Sequence, residues 1–232
     1  MKRIAPLSSF LKTLKSKIEH ASYRVRGRRK NFAKIYKEGG FSGRNFPLSG
    51  AGSTLEQTEK VRQAIPDILR ELNAHSLFDA PCGDFTWMRE IDLENISYTG
   101  ADIVEALIDM NIRKYSRENR TFIVADIVKD DLPKADVVLC RDCFVHLSNR
   151  DVVRAVRNFK ESQSAYLLTT TFYEVRENRD LVSGRGWRPI NLNIPPFDFP
   201  PALKMVIEEC TEFDGTYYDK SLGLWRLSDI AL

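Results

Sequence analysis

Acidic side chains follow one apolar segment after another in the middle of this chain, and their types and spacing suit the binding of a polar ligand. The first apolar segment ends at Asp79, and a turn through Gly83 leads to Asp84 before a helical pattern begins. Such a turn brings backbone N–H groups and a helix N-terminus to the carboxyl end of a strand, where open α/β sheets bind their ligands. We therefore predict a binding site at this turn.

Three later apolar segments also end in polar residues. They are predicted to be strands at positions 97–101, 121–125 and 135–140. Asp102 follows the first of these and lies 19 positions after Gly83 (102 − 83), close to the ~20 expected for an acid that binds a ribose hydroxyl. Asp126 follows the next strand, and Arg141 and Asp142 follow the last. Because strands that alternate with helices run parallel, these side chains are predicted to meet at one edge of the sheet.

This series resembles the class I S-adenosylmethionine (SAM) dependent methyltransferases. DAPCG corresponds to their glycine-rich first motif, and GADIV and VADIV correspond to the second and third motifs. LCRDCFVHL corresponds to the segment after strand four. The resemblance covers residues 72–172. It implies a Rossmann-like α/β fold, with a seven-stranded, mostly parallel sheet, helices on both faces and an antiparallel C-terminal strand pair. The chain departs from the family at Pro81 and Phe85, where two glycines are common.

The resemblance also implies SAM as the cofactor. Asp102 is expected to accept hydrogen bonds from both ribose hydroxyls, with Ile103 packed on the adenine. Asp126 is expected to accept the adenine amino group, with the backbone N–H of Ile127 beside it. The remaining predicted cofactor residues lie at the ends of strands one and four, and they are Asp79, Ala80, Gly83, Asp84, Cys140 and Arg141. Gly83 is the only glycine of its turn, which disfavours NAD as the cofactor.

His146 is the predicted general base. It follows strand four, beside the expected methyl position, and an imidazole takes up protons near neutral pH. Asp142 is expected to orient His146 or to bind the acceptor. The alternative is that His146 caps or packs under the sheet edge. The predicted acceptor-binding residues are Arg141, Arg185, Trp187, Arg188 and Lys220, and for Trp187 the alternative is packing on the sheet edge.

Composition and charge set the domain organisation. The 232 residues, 43% of them hydrophobic, suit one large α/β domain. Residues 1–44 contain 13 Lys and Arg and two acids, a net charge of +11, whereas the remainder contains 22 and 30, a net charge of −8. We therefore predict a basic N-terminal arm over 1–44 and a methyltransferase domain over 45–232. The arm includes a basic amphipathic helix at 4–18, which either contacts an anionic membrane or packs on its own domain.

No metal is predicted, because Cys140 and Cys143 have no second cysteine or histidine pair to complete a zinc site. Reduced thiols are typical of the cytoplasm, which is the predicted location. The basic arm is a candidate for contact with a membrane surface. Helices are predicted at 55–72, 85–90, 105–115 and 149–159, and later strands at 165–172, 205–213 and 223–227. The proline-rich loop at 173–202 is predicted to be a lid over the site.

The predicted function is SAM-dependent O-methylation of a sugar, a glycan or another small polar acceptor. The segments RDCFVHLS, YLLTTTF and DKSLGLW resemble a bacterial methyltransferase group whose acceptor is unassigned. Two alternatives stay open. One is an RNA methyltransferase that uses the basic arm to hold phosphates. The other is a SAM-binding partner protein without catalytic activity.

Overall fold

The computed structural model describes residues 27–41, 47–93 and 95–232 of the chain. The predicted amphipathic helix at 4–18 lies outside the described residues. The strands are β1 (Ser76–Asp79), β2 (Ser97–Asp102), β3 (Arg120–Val124), β4 (Val137–Cys140), β5 (Tyr166–Phe172), β6 (Lys204–Ile207) and β7 (Lys220–Arg226). They form one sheet of seven strands in the order β3-β2-β1-β4-β5-β7-β6.

β1 lies inside the sheet and pairs in parallel with β2 on one side and with β4 on the other. β7 runs antiparallel between β5 and β6. The predicted Rossmann-like fold, with a mostly parallel sheet and an antiparallel C-terminal pair, is therefore confirmed. Because β1 to β4 run in the same direction, the loops that follow them lie at one edge of the sheet, where open sheets of this kind bind ligands.

The helices are α1 (Arg28–Lys37), α2 (Glu59–Glu71), α3 (Glu105–Tyr115) and α4 (Asn149–Glu161). Neighbouring residues of a strand point to opposite faces, so Leu77 and Phe78 of β1 enter two different apolar layers. The apolar stripe of α4 packs in the layer of Phe78, and α2 and α3 pack in the layer of Leu77. Helices on both faces of the sheet are confirmed. Each fully buried side chain of this size contributes about 1.5–3 kcal/mol.

The predicted helix at 85–90 is wrong. Only a 3-10 turn, Met88–Glu90, forms there. The reason is that Phe85 has a φ of 60°, which a right-handed helix excludes. The Phe85 ring is buried against Tyr98 and Phe122, with ring centroids 5.3 and 5.2 Å away. The turn after β1 is therefore built without the helix N-terminus that the sequence predicted.

Other element bounds also differ from the predictions. α2 begins at Glu59, four residues later than position 55, after a turn in which the Thr54 hydroxyl accepts a hydrogen bond from the backbone N–H of Gln57 at 3.2 Å. The strand predicted at 205–213 ends at 207, because Glu209, two residues later, has a φ of 54°, which an extended strand excludes. Among the described residues, no helix combines the length and the apolar composition needed to cross a membrane.

The segment 173–202 has no regular secondary structure, as predicted, but it packs on the body of the domain. Ile190, Leu192, Phe197 and Phe199 are buried in the layer that also holds Trp225. The backbone N–H of Phe172, at the end of β5, donates to the Ile190 carbonyl at 2.8 Å. This segment is therefore part of the core and not a lid.

Candidate functional site

A cavity of about 120 Å³ lies at the carboxyl edge of β1 to β4. Its floor is made by the loops that follow these strands. Its roof is made by α1, Phe41 and the segment 48–53. Eight of the predicted site residues line it: Gly83, Asp102, Ile103, Asp126, Ile127, Arg141, Asp142 and His146. The others do not line it: Asp79, Ala80, Asp84, Cys140, Arg185, Trp187, Arg188 and Lys220.

The turn after β1 is closed by Ser49 of the roof. Gly83 has a φ of 53°, and a Cβ atom there would lie 2.1 Å from the Ser49 hydroxyl, so the roof rests on a position that only glycine can fill. Asp84 holds that roof segment. Its carboxylate accepts from the Leu48 N–H at 2.6 Å and from the Ser49 hydroxyl at 3.1 Å. The predicted role of Asp84 toward the cofactor is therefore replaced by a structural one.

Asp79 lies below the turn and away from the cavity. It is 2% exposed and accepts a hydrogen bond from the Tyr98 hydroxyl at 2.6 Å. Burial raises the pKa of Asp79 to about 7. Asp79, predicted to be a cofactor residue, therefore lies outside the lining of the cavity and is held by Tyr98.

Asp102 lies in the cavity wall at the end of β2. One oxygen accepts from the Val104 N–H at 2.9 Å and the other from the Gly83 N–H at 3.3 Å. A carboxylate has about four acceptor sites in all, so Asp102 keeps acceptor capacity for a ligand hydroxyl. Burial raises the pKa of Asp102 to about 6, which leaves it ionised at neutral pH.

Asp126, at the end of β3, is paired with a residue that sequence reasoning missed. Arg28 of α1 donates through Nη2 and Nε to the Asp126 carboxylate at 3.0 and 3.3 Å. Its Nη1 lies 3.2 Å from Oδ2 of Asp151, in the first turn of α4. Arg28 thus fastens the roof to the floor. Its place in a run of basic residues gave no sign of this contact.

The cations of the β4 end are neutralised by carboxylates. Arg141 forms a bidentate pair with Glu208, with contacts of 2.6 and 3.2 Å. Lys220 lies 2.7 Å from Asp142 and 3.4 Å from Glu208. Although burial acts to raise it, the charges of Lys220 and Arg141 lower the pKa of Asp142 to about 2. The predicted use of Lys220 for an anionic acceptor is wrong, since Lys220 is buried beneath the wall. Glu208, in a predicted strand, was missed.

No protein-family model matches this sequence, and no curated protein sequence matches it. Solved structures do. The N-methyltransferase NodS from Bradyrhizobium japonicum WM9 has a TM-score of 0.55 at 11% identity, over 75% of this chain and 98% of that one. The magnesium protoporphyrin IX methyltransferase ChlM from Synechocystis PCC 6803 with bound SAM has a TM-score of 0.51 at 13% identity, over 84% and 89%. This chain has the class I methyltransferase fold.

Human N-acetylserotonin methyltransferase in complex with SAM is a third similar structure, with a TM-score of 0.50 at 11% identity, over 86% of this chain and 66% of that one. These neighbours differ in their named acceptors. Their likeness at such identities concerns the methyltransferase fold and does not extend to the acceptor.

His146 occupies the wall of this methyltransferase fold in a defined orientation. Its Nδ1 lies 2.8 Å from the carbonyl oxygen of Gly186. A carbonyl oxygen only accepts hydrogen bonds, so Nδ1 carries the proton and Nε2 keeps its lone pair. Burial lowers the pKa of His146, which favours the neutral ring. Phe41 of the roof covers the ring, with centroids 4.4 Å apart.

The predicted acceptor residues of the 173–202 segment lie outside the cavity. Trp187 packs on Phe172 and Tyr217, with ring centroids 5.8 and 4.8 Å away, so packing on the sheet edge is the alternative that the structure supports. Arg188 is buried and donates to backbone carbonyls, which leaves it no part in acceptor binding. A residue that sequence reasoning missed, Trp87, lines the cavity under the Arg141 guanidinium, 5.4 Å from its ring centroid.

Within the described residues, no group of three or more His, Cys, Asp or Glu side chains is arranged to hold a metal ion.

Proposed function

We propose that this protein binds SAM in the cavity at the carboxyl edge of the sheet and transfers its methyl group to a hydroxyl of a sugar, a glycan or another small polar acceptor. When bound, SAM supplies an electrophilic methyl group and a good leaving group. The class I methyltransferase fold supports the binding of SAM. The residues around His146 support the choice of acceptor.

The floor of the cavity has the donor and acceptor groups that an adenosine needs. Asp102 would accept hydrogen bonds from the ribose hydroxyls, and Asp126 with the backbone of Ile127 would hold the adenine edge. The space is smaller than the ligand requires, because the cavity measures about 120 Å³ and ligand pockets measure ~300–1,000 Å³. The residues therefore fit SAM if the roof moves away from the floor when SAM enters.

The observation that carries the acceptor chemistry is the bond from Nδ1 of His146 to the Gly186 carbonyl at 2.8 Å. It fixes the tautomer in which Nε2 can take a proton. A hydroxyl acceptor must lose its proton as the methyl group arrives, and a positioned histidine contributes ~10²–10⁴-fold to such a step. The chain otherwise aligns the reacting groups, which is the larger part of catalysis for a transfer of this kind.

The test is a methyl-transfer screen with labelled SAM across nucleotide sugars, glycans and tRNA, using the wild-type protein and His146→Ala. We expect turnover on a hydroxyl acceptor, a loss of ~10²–10⁴-fold in the variant, and the same SAM affinity by calorimetry in both proteins. Full activity of the variant on a hydroxyl acceptor would exclude His146 as the base. Absence of SAM binding by the wild-type protein would refute the proposed function as a whole.

A second candidate, RNA methylation, is favoured by the net charge of +11 on residues 1–44. Because α1 and Phe41 are part of the roof, the informative truncation removes residues 1–26 only. Phosphate contacts lower the affinity steeply as salt rises, with a slope of about −0.7 per phosphate for single strands. RNA binding with a steep salt slope that disappears in the truncated protein would favour this candidate. The same truncation, tested on anionic vesicles, addresses a membrane contact of the arm.

A further inference from the structure

The turn that carries His146 is held by hydrogen bonds from the segment 183–188 of the 173–202 loop. The Gly184 N–H donates to the His146 carbonyl at 2.9 Å, and the Arg188 N–H donates to the Val145 carbonyl at 3.1 Å. The Gly186 carbonyl accepts from the His146 ring. One short segment thus contacts both the backbone and the side chain of His146.

The Arg188 side chain adds further hydrogen bonds to this turn. Its Nη1 donates to the Phe144 carbonyl and its Nη2 to the Leu147 carbonyl, both at 2.7 Å. Nη2 also donates to the side-chain oxygen of Asn149 at 2.9 Å, and Nε donates to the Arg179 carbonyl at 2.7 Å. Two of the four acceptors therefore lie immediately on either side of the turn of Val145 and His146.

Burying a guanidinium in this way costs free energy of folding, because the charge loses contact with water. Arg188 is 7% exposed, and its hydrogen-bond acceptors are carbonyl or amide oxygens and not carboxylates. Burial lowers the pKa of Arg188 to about 10, so the side chain is still charged at neutral pH. The nearby Asp180 carboxylate acts to raise this pKa, but less strongly than burial lowers it. A charge buried in this way is tolerated only when its hydrogen bonds are satisfied. Arginine carries five donors on three separated nitrogens, whereas a lysine ammonium has three donors on one nitrogen, so lysine cannot reach all four acceptors of Arg188.

We propose that Arg188 is a positioning residue for His146. Through the carbonyls of Phe144 and Leu147 it holds the turn against the 183–188 segment, so that the Gly186 carbonyl meets Nδ1 and leaves Nε2 as the proton acceptor in the cavity. The inference rests on the proposed function, in which His146 is the base. The segment 183–188 does not line the cavity, and its proposed role is to orient His146.

The first test is independent of any acceptor. The chain has three histidines, so a long-range ¹H–¹⁵N spectrum of ¹⁵N-histidine-labelled protein is simple, and His146→Gln assigns the signal of interest. We expect the wild-type protein to show the tautomer protonated at Nδ1. In Arg188→Lys we expect a mixture of tautomers. The control is Arg176→Lys in the same loop, where the side chain is 84% exposed and pairs with Glu174, and which should retain the wild-type signal.

The second test follows kinetics once an acceptor is found. A small misplacement of a catalytic group costs up to ~10²-fold, so Arg188→Lys should lower kcat roughly 10- to 100-fold without changing SAM affinity. Burial is the main cause that lowers the pKa of His146. A ring released from its place is less buried, so its pKa should rise and the acid limb of the pH profile should move to higher pH. Arg176→Lys should match the wild-type protein in both respects.

Asn149→Ala removes one acceptor of Arg188 and serves if Arg188→Lys does not fold. It should shift the tautomer signal in the same direction by a smaller amount. An unchanged tautomer and an unchanged pH profile in folded Arg188→Lys would overturn the inference while leaving His146 as the base. By contrast, full activity of His146→Ala would refute the base itself, whatever the tautomer spectrum shows.

Discussion

Arg28 and Asp126 join two parts of the chain that are 98 positions apart, through contacts of 3.0 and 3.3 Å between a guanidinium and a carboxylate. Asp126 is the residue proposed to hold the adenine edge of SAM, and Arg28 belongs to the roof, which we propose moves when SAM enters. One carboxylate therefore serves both the closed roof and the cofactor site. Entry of SAM is expected to compete with the closed state of the roof.

We expect Arg28→Gln to bind SAM faster. Hydrogen bonds to charged groups contribute ~1.5–3 kcal/mol each, so removing this pair should increase the open population, and with it the association rate, by about tenfold or more. Stopped-flow fluorescence measures the rate, with Trp87 in the cavity wall as a natural reporter.

Arg29→Gln is the matched control, because Arg29 pairs with Asp130 at 3.5 Å and is 46% exposed. An exposed pair of this kind is worth ~0–1 kcal/mol, so the control should associate at the wild-type rate. Equal association rates in wild-type protein, Arg28→Gln and Arg29→Gln would show that the roof does not limit SAM entry.

SAM affinity should depend on pH through Asp102. Burial raises its pKa to about 6, and only the ionised carboxylate accepts hydrogen bonds from both ribose hydroxyls. Affinity is therefore constant at pH 7 and above and falls as pH decreases through about 6, by up to tenfold per unit, since one unit corresponds to ~1.36 kcal/mol. Calorimetry between pH 5 and 8 measures this dependence.

Asp102→Asn should bind SAM about tenfold or more weakly at pH 7.5 and should lose this pH dependence, because the amide does not titrate. Asp109→Ala on the exposed side of α3 is the control. A pH dependence that persists in Asp102→Asn would assign it to another group.

Sequence patterns were most informative where local chemistry and topology agree. Asp102 was found because a strand end, a following acid and a fixed distance from Gly83 all point to one place in this fold. Asp84 has the same residue type and a similar position, yet it holds the roof. The difference depends on the segment 48–49, which is distant in sequence, and no local pattern reveals it.

The contribution of α1 to the roof was missed for a related reason. Arg28 lies in a run of basic residues, and such runs are usually solvated. Its role depends on the buried carboxylates of Asp126 and Asp151, which only the folded chain brings together. The helix predicted at 85–90 failed because apolar periodicity does not encode the left-handed backbone at Phe85, which is stabilised by its packing on Tyr98 and Phe122.

Trp187→Ala should reduce stability and leave acceptor kinetics unchanged. The ring is partly buried against Phe172 and Tyr217, and loss of a well-packed aromatic side chain costs ~3 kcal/mol. Tyr218→Ala is a suitable comparison, since Tyr218 is 60% exposed and its loss should cost little stability. Urea unfolding measures both. A raised acceptor KM in Trp187→Ala with wild-type stability would instead indicate that Trp187 contacts the acceptor.

Asp79 should make the protein less stable as pH rises. Its pKa is raised from 3.8 in the unfolded chain to about 7 in the folded protein, mainly by burial. Folding therefore favours the protonated form. The contribution of this proton is fully present below pH 3.8 and is lost as pH rises through about 7. At ~1.36 kcal/mol per unit the whole effect is of the order of 4 kcal/mol.

Asp79→Asn tests this directly, because the amide is neutral at every pH and its oxygen still accepts from the Tyr98 hydroxyl. The stability of the variant relative to wild-type protein should increase steadily between pH 4 and pH 7 and then level off. Urea unfolding at pH 4, 5.5, 7 and 8 gives the four points, and Asp109→Asn on the surface of α3 corrects for a general loss of charge. A difference in stability that stays constant over this range would mean that Asp79 is ionised in the folded protein throughout, with its charge stabilised by Tyr98 more strongly than burial disfavours it.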